Sequence, residues 1–123
     1  MPLPSGPWPA DNDLIYRRDV LCVFPGCWER PASTHHRNHN HADNRPANRL
    51  STCGDGTRGH HGYAEHHPEE AYANGWSIRH EGLPLDPEEV PVRLGHHVWG
   101  EGVFLLNNAY GLDRTDRPPG PPP

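Results

Sequence analysis

Several residue types are scarce or missing in this chain of 123 residues. It has no lysine, one methionine and two phenylalanines, and only 33% of it is apolar. No run of 18 or more apolar residues occurs, so we expect no membrane-spanning segment and no membrane partner. The N-terminal residues lack both a basic segment and an apolar stretch, which argues against a secretory signal peptide. We therefore expect a cytoplasmic protein.

Cysteine is also scarce, with three residues in the whole chain. In a reducing compartment three cysteines are typical of metal ligands or free thiols, not of a disulfide framework. Proline (16) and glycine (13) are abundant, so the apolar core must be thin. The length suits one small domain, and a domain with so little core needs a metal or a partner to stabilise it.

The net charge of −5 argues at first against a nucleic-acid partner. The charge is unevenly distributed, however. Residues 30–67 contain five arginines and three acidic residues, whereas residues 68–123 contain four arginines and nine acidic residues. Eight of the eleven histidines also lie between His35 and His67. Because phosphate neutralisation is a local effect, the acidic flanks do not exclude DNA as a partner.

Turn-forming residues divide the chain into short elements. We expect a flexible arm (1–12), a histidine-rich domain (13–80), a connection with a β-hairpin (81–113) and a disordered tail (114–123). The predicted elements are a helix over 13–22 capped by Asp13, a Pro-Gly turn between Cys22 and Cys27, strands over 33–37 and 48–52, a helix from His60 to about His67, a second helix from Pro68 to Asn74, a strand-like segment over 76–79, and a hairpin over 97–107 turning at Gly100-Glu101-Gly102.

Strand, loop, strand and helix, with histidines on the first strand and at the helix start, predict a small α+β fold with a ββα metal centre. One strand histidine and one helix histidine bind a divalent cation, which polarises a phosphate. The neighbouring strand histidine points to the opposite side, where its nitrogen takes a proton from the attacking water. We expect His39 and His41 to lie on a solvated loop and the four tryptophans to belong to the core.

The combined motifs resemble the HNH endonuclease family, and most closely the small HNH proteins of actinobacterial bacteriophages. The resemblance covers about residues 20–80, with Arg49 as an extra residue between the asparagine and leucine of the family pattern. The matching motifs are Cys22 and Cys27, His35-His36-Arg37, Pro46-Ala47-Asn48-Arg49-Leu50, Cys53-Gly54, Gly59-His60-His61-Gly62, and Ala71-Tyr72-Ala73-Asn74-Gly75-Trp76.

The resemblance implies a role for each matching residue. His36 is the general base, and Asn48 holds loop and strand so that His36 is oriented. The ligands of a catalytic divalent metal (Mg²⁺, Mn²⁺ or Zn²⁺) are His35 and His61. Some relatives place a third ligand one helical turn further on, where this chain has Glu65, with His66 next to it as the alternative. Arg37 and Arg58 are candidate phosphate contacts.

The cysteines form a second constellation. Cys22, Cys27 and Cys53 supply three thiols, and structural zinc usually takes four ligands. Family members have Cys-His where this chain has His60-His61, so the resemblance makes His60 the fourth ligand. Which histidine of the pair serves which metal stays open.

The resemblance implies a metal-dependent endonuclease that hydrolyses DNA phosphodiester bonds to 3′-hydroxyl and 5′-phosphate ends. For a phage-encoded protein it also implies the host cytoplasm and the phage terminase as a partner in DNA packaging; homing and attack on host DNA are alternatives. Two other functions remain open. One is a non-catalytic zinc-stabilised module that binds nucleic acid or protein, and the other is a structural phage component.

Overall fold

The computed structural model describes residues 8–79 and 85–122 and shows a small α+β chain. The helices and strands are α1 (Asp13–Asp19), β1 (Ser33–His36), β2 (Arg49–Thr52), α2 (Gly59–His66), α3 (Pro68–Ala73), β3 (Val92–His96), β4 (Gly100–Leu106) and β5 (Leu112–Arg114), with 3-10 turns at Pro46–Asn48 and Pro87–Glu89. None of the helices in these two described stretches has the length and apolar character needed to cross a bilayer.

The first sheet is an antiparallel ribbon of β1 and β2 that pairs His35 with Leu50 and His36 with Arg49. Helix α2 follows β2 and packs against both strands. All four residues of β2 are buried although three of them are polar, because α1 covers this strand. The buried carboxylate of Asp19, at the end of α1, accepts the Ser51 backbone N–H at 2.9 Å. The predicted order of strand, loop, strand and helix is therefore present.

The second sheet has the strand order β3-β4-β5 and is antiparallel throughout. Its buried side chains belong to the same core cluster as Phe24, which lies between the first two cysteines and whose ring is 4.3 Å from that of Trp76 between centroids. Helix α3 ends at Asn74-Gly75, as predicted. Gly75 has φ +76° and packs so tightly that an added Cβ would overlap the Pro91 carbonyl, so only glycine fits this stop.

Three of the predicted elements need correction, and one strand was missed. The first helix ends at Asp19, and the residue before it is Asn12, which makes no side-chain capping bond. The hairpin turns at residues 97–99, ahead of Gly100, because Gly100 already belongs to β4 and pairs with His96. Residues 76–79 form no strand; Ile78 donates a single backbone hydrogen bond to the Arg37 carbonyl. The short strand β5 has no counterpart in the prediction.

The described residues near both chain ends are more ordered than the sequence indicates. Residues 1–7 of the predicted arm lie outside the described residues, but the buried Arg49 guanidinium holds the carbonyls of Pro9 and Asp11, both at 3.0 Å. The predicted disordered tail packs back onto the protein, where Gly120 is buried and donates to the Pro91 carbonyl at 2.9 Å. Backbone hydrogen bonding, which composition does not reveal, orders these proline-rich segments.

Arg37 is fully buried and has a structural role instead of the predicted contact with phosphate. Its guanidinium donates to four carbonyls at 2.7–3.0 Å, those of Ala47, Gly75, Pro87 and Val90. These carbonyls come from segments far apart in the chain. A planar group with five N–H donors is suited to such a junction, because it satisfies several buried acceptors at once.

We predict that Arg37→Lys lowers the free energy of unfolding by at least about 2 kcal/mol, because an ammonium group cannot reach all four carbonyls and leaves buried acceptors unpaired. Urea unfolding followed by circular dichroism measures the change. The matched control is Arg17→Lys at an exposed site in the last turn of α1, where we expect a change within about 0.5 kcal/mol. Equal effects at the two sites would contradict a structural role for Arg37.

Candidate metal centres

Three cysteines and a histidine converge in a first cluster, which we call the thiolate cluster (Cys22, Cys27, Cys53 and His60). Nδ1 of His60 lies 3.5 Å from the Cys22 sulfur and 3.4 Å from the Cys53 sulfur, and the Cys27 and Cys53 sulfurs are 3.9 Å apart. Ligands on a tetrahedral zinc ion would be separated by about 3.8 Å (S···S) and about 3.5 Å (S···N). The cluster therefore has the donor set and the spacing of a structural metal site.

Local backbone geometry brings these ligands together. Gly26, with φ +80°, closes the turn between the first two cysteines, and the Cys27 N–H bonds to the Phe24 carbonyl at 3.0 Å. Cys53 directly follows β2, and its sulfur accepts the backbone N–H of His60 at 3.3 Å in the first turn of α2. The Phe24 ring stacks on the His60 ring at 4.8 Å, which fixes the imidazole plane.

Metal binding at the thiolate cluster requires the release of thiol protons. Burial raises the pKa of the Cys22 and Cys27 thiols above the ordinary value, and the Cys53 sulfur adds to the effect at both. Without a cation both thiols therefore stay protonated at neutral pH. A divalent metal reverses this preference because it binds the thiolate form, so metal binding and proton release are coupled.

A second cluster, the histidine–glutamate cluster, consists of His35, His61 and Glu65. The Glu65 Oε1 atom is 3.3 Å from Nδ1 of His35 and 3.9 Å from Nε2 of His61. Nδ1 of His35 is fully buried and has no hydrogen-bond partner in the described part of the chain, since its contact with Glu65 lacks hydrogen-bond geometry. An unpaired buried nitrogen facing a carboxylate is typical of a metal ligand.

Two serines orient the imidazoles of the histidine–glutamate cluster. The Ser33 hydroxyl donates to the Gly54 carbonyl at 2.8 Å, so it accepts the Nδ1–H of His61 at 2.7 Å and leaves Nε2 of His61 as the ligand atom. On the other side, Ser77 Oγ lies 3.1 Å from Nε2 of His35. When that nitrogen donates, Nδ1 carries the lone pair that faces Glu65.

Charge at the histidine–glutamate cluster also suits a cation. The adjacent His35 imidazole, together with those of His39 and His61, lowers the pKa of Glu65 to about 2 against the opposing effect of burial, so the carboxylate is charged at neutral pH. Burial lowers the pKa of His61, which keeps this imidazole neutral and able to bind a metal. Two imidazole nitrogens and one carboxylate are a donor set used by catalytic divalent metals, with room for water.

His36, the predicted general base, is not part of this convergence among the residues that the structure describes. Its ring packs against His41 at 5.2 Å between centroids. Both ring nitrogens are shielded from solvent and make no hydrogen bond within residues 8–79 and 85–122. Burial lowers the pKa of His36 to about 4, with a partial opposing effect of the nearby Asn44 side chain. The imidazole is therefore neutral at neutral pH, and its two nitrogens are shielded although the residue as a whole is only half-buried.

Asn48 is fully buried and organises the loop between β1 and β2. Its side-chain oxygen accepts the Asn38 backbone N–H at 3.0 Å, and its amide donates to the Asn38 side chain at 2.9 Å and to the Asp43 carbonyl at 3.1 Å. Asn48 therefore links this loop to β2, and its predicted role in orienting His36 stays a prediction. The ring that this loop places beside the histidine–glutamate cluster is that of His39, with Nδ1 3.7 Å from Glu65 Oε2.

The remaining predicted contacts differ in accessibility. Arg58 is exposed at the residue before α2, within reach of solvent phosphate, whereas Arg37 is sealed in the interior. Sequence reasoning missed Ser33, Ser77 and His39. No motif indicates a role for the two serines. The polar sequence around His39 predicts a solvated loop and does not show which of its side chains packs against the protein. Two of the four tryptophans predicted to lie in the core, Trp28 and Trp99, are 71% and 60% exposed.

Comparisons of the chain with protein-family models, with curated proteins and with solved structures found no match. The geometry of the two clusters is therefore the basis on which a function is assigned.

We predict that His60→Ala weakens binding of Co²⁺ to the thiolate cluster by at least about 100-fold, more than the loss of a supporting hydrogen bond would cost. Cobalt absorption bands that arise from thiolate ligands report this binding. His66→Ala, an exposed histidine on the same helix, is the matched control and should bind Co²⁺ as the unmodified protein does. Equal affinities for the two variants would exclude His60 as a ligand.

Proposed function

We propose that this protein is a metal-dependent endonuclease of the HNH type that hydrolyses phosphodiester bonds in DNA. The observation that carries the proposal is the convergence of His35 from a strand with His61 and Glu65 from the following helix, with all ligand atoms within 4.8 Å of one another. This convergence supports the ββα metal centre that the sequence motifs predict. Glu65 is one-third exposed, so the cluster opens to solvent on that side.

The chemistry of the donor set supports hydrolysis. A divalent cation bound there would polarise a phosphate oxygen and stabilise the negative charge that develops on the leaving group. The residues themselves contribute orientation, since Ser33 and Ser77 hold the two imidazoles with their ligand atoms facing Glu65. Arg58, exposed beside the start of α2, is placed to contact the DNA backbone.

In this proposal the thiolate cluster binds a structural zinc ion. It joins the loop after α1, the end of β2 and the start of α2, and so replaces apolar core that the chain lacks. For a phage-encoded protein, the resemblance adds the terminase as a partner, DNA packaging as the process and the host cytoplasm as the location.

A second candidate function is a zinc-stabilised module that binds nucleic acid or protein without catalysis. The enclosure of both His36 ring nitrogens favours it, because a general base must reach the proton that it removes. This alternative needs the thiolate cluster and makes no use of the histidine–glutamate cluster. The two functions therefore differ in what removal of His61 should do.

We predict that the unmodified protein nicks supercoiled plasmid in the presence of Mn²⁺ or Mg²⁺, and that His61→Ala reduces nicking to the level seen with chelator. The zinc content and the circular dichroism spectrum of His61→Ala should be unchanged, because His60 alone of the pair belongs to the thiolate cluster. His66→Ala is the matched control and should nick normally. DNA binding without any cleavage by the unmodified protein would support the non-catalytic module instead.

We further predict that Ser33→Ala lowers the affinity of the histidine–glutamate cluster for Mn²⁺ by about 10- to 100-fold, because His61 loses the bond that sets its tautomer. Isothermal titration on zinc-loaded protein measures the affinity. Thr34→Ala is the control: its hydroxyl donates to Asn12 instead. If both variants bind Mn²⁺ equally well, Ser33 does not orient the ligand.

A further inference from the structure

We propose that a cleft between α2, α3 and β3 binds an unpaired guanine base. That this guanine belongs to a DNA strand rests on the proposed nuclease function, whereas the guanine site itself does not. The cleft has a volume of about 370 Å³, which is within the range of small-molecule sites. Its walls combine aromatic and polar side chains, chiefly Phe24, Tyr63, Trp76, Glu70, Asn74 and Arg93.

Arg93 presents a guanidinium with unoccupied outer nitrogens to this cleft. Its Nε atom donates to Asn74 Oδ1 at 3.2 Å, and its backbone N–H donates to the Asn74 carbonyl at 2.9 Å. The Arg93 carbonyl accepts the Trp76 indole N–H at 2.7 Å. The half-buried side chain is thus held in position, while its two terminal nitrogens have no hydrogen-bond or ion-pair partner within residues 8–79 and 85–122. Such a fork binds two adjacent acceptors.

Glu70 supplies the opposite chemistry in the same cleft. Its Oε1 atom accepts the Tyr63 hydroxyl at 2.5 Å, which fixes the carboxylate. The Asn74 side chain donates to the Glu70 carbonyl at 2.9 Å and also accepts from Arg93, so it links the two charged residues. A carboxylate has about four acceptor sites. Glu70 therefore remains able to accept hydrogen bonds from a ligand.

The combination of a fork, a carboxylate and aromatic walls selects the class of ligand. A phosphate would bind Arg93 but would be repelled by Glu70, and a cation would meet the reverse. A flat, uncharged ring with both acceptors and donors satisfies all three features. Among the four bases, guanine alone has two adjacent acceptors (N7 and O6) next to two adjacent donors (N1–H and the N2 amine). Arginine is the usual partner of the two guanine acceptors.

Helix α2 separates this cleft from the histidine–glutamate cluster. Tyr63 lines the cleft, whereas His61 and Glu65 on the same helix belong to the cluster. A helix is about 10–12 Å across with its side chains, and the nucleotides of a B-form strand are about 3.4 Å apart. A strand that crosses α2 therefore reaches both sites, with the bound guanine a few nucleotides from the bond at the cluster.

The test measures binding of single-stranded thymine oligonucleotides that differ in one central base. Full-length zinc-loaded protein is used without Mn²⁺ or Mg²⁺, so that the strand stays intact, and fluorescence anisotropy gives the affinity. We expect the guanine strand to bind at least about 10-fold more tightly than the adenine, cytosine and all-thymine strands. Inosine, which lacks the N2 amine, and 7-deazaguanine, which lacks the N7 acceptor, should each lower the affinity by about 5-fold or more.

Two variants assign these contacts to residues. Glu70→Gln should bind the guanine and inosine strands equally, because the N2 amine loses its acceptor. Arg93→Met should bind the guanine and 7-deazaguanine strands equally, because N7 loses its donor. Glu69→Gln and Arg17→Met, at exposed sites that do not line the cleft, are the matched controls and should keep both preferences. Circular dichroism and Co²⁺ binding check that each variant folds, and the comparison of bases on the unmodified protein needs no variant.

The remaining outcomes also decide the matter. Equal affinity for all strands, or tighter binding of the cytosine strand, would overturn the guanine site. Inorganic phosphate that displaces the guanine strand as well as dGMP does would show an anion site and overturn it too. Binding of dGMP as tight as that of the guanine strand would overturn DNA as the source of the base. Plasmid nicking without a guanine preference would remove this inference and leave the nuclease function, and guanine-selective binding without nicking would do the reverse.

Discussion

The first turn of helix α2 is the constraint on which the rest of the structure depends. His60 and His61 are consecutive there, so their side chains point about 100° apart around the helix axis. His60 faces the three cysteines, and His61 faces His35 and Glu65. Two consecutive positions in one helical turn therefore contribute to the two clusters. Any metal that binds the thiolate cluster also fixes the rotation of α2 and with it the direction of His61.

Buried polar groups stabilise this fold to an extent that apolar residues provide in a larger protein. Arg37 and Arg49 are among the largest fully buried side chains, and each binds several backbone carbonyls from distant segments. Asn48 does the same for the loop that carries His39. Such groups are costly to bury unless all their hydrogen bonds are made. That requirement gives a loop-rich chain a defined shape around its two clusters.

Much of this arrangement could be predicted from the sequence because it follows local patterns. The α+β class, the two strands before α2 and the stop at Gly75 are set by short-range periodicity and turn residues. The grouping of Cys22, Cys27, Cys53 and His60 also follows the motif spacing. The burial of Arg37 could not be predicted, because it depends on carbonyls that are brought together only by folding. The inward turn of His39 likewise depends on the buried Asn48 network and not on any local preference.

The order of the chain ends and the exposure of two tryptophans also depend on contacts between distant segments, so they could not be predicted from the sequence. Composition predicted a disordered tail, yet tertiary backbone hydrogen bonds order residues 114–122. The exposed Trp28 lies against His97 from the hairpin turn. This contact forms only when the turn between Cys22 and Cys27 packs against the second sheet. Side chains at such junctions take their surroundings from distant parts of the chain, so local sequence carries little information about them.

Anomalous diffraction from crystals grown with Zn²⁺ and Mn²⁺ tests most directly whether adjacent histidines serve separate metals. The account predicts two ions. One is a zinc ion held by the three cysteine sulfurs and Nδ1 of His60, and the other is a manganese ion held by His35, His61 and Glu65. A single ion that binds both His60 and His61, or no ion beside Glu65, would contradict it.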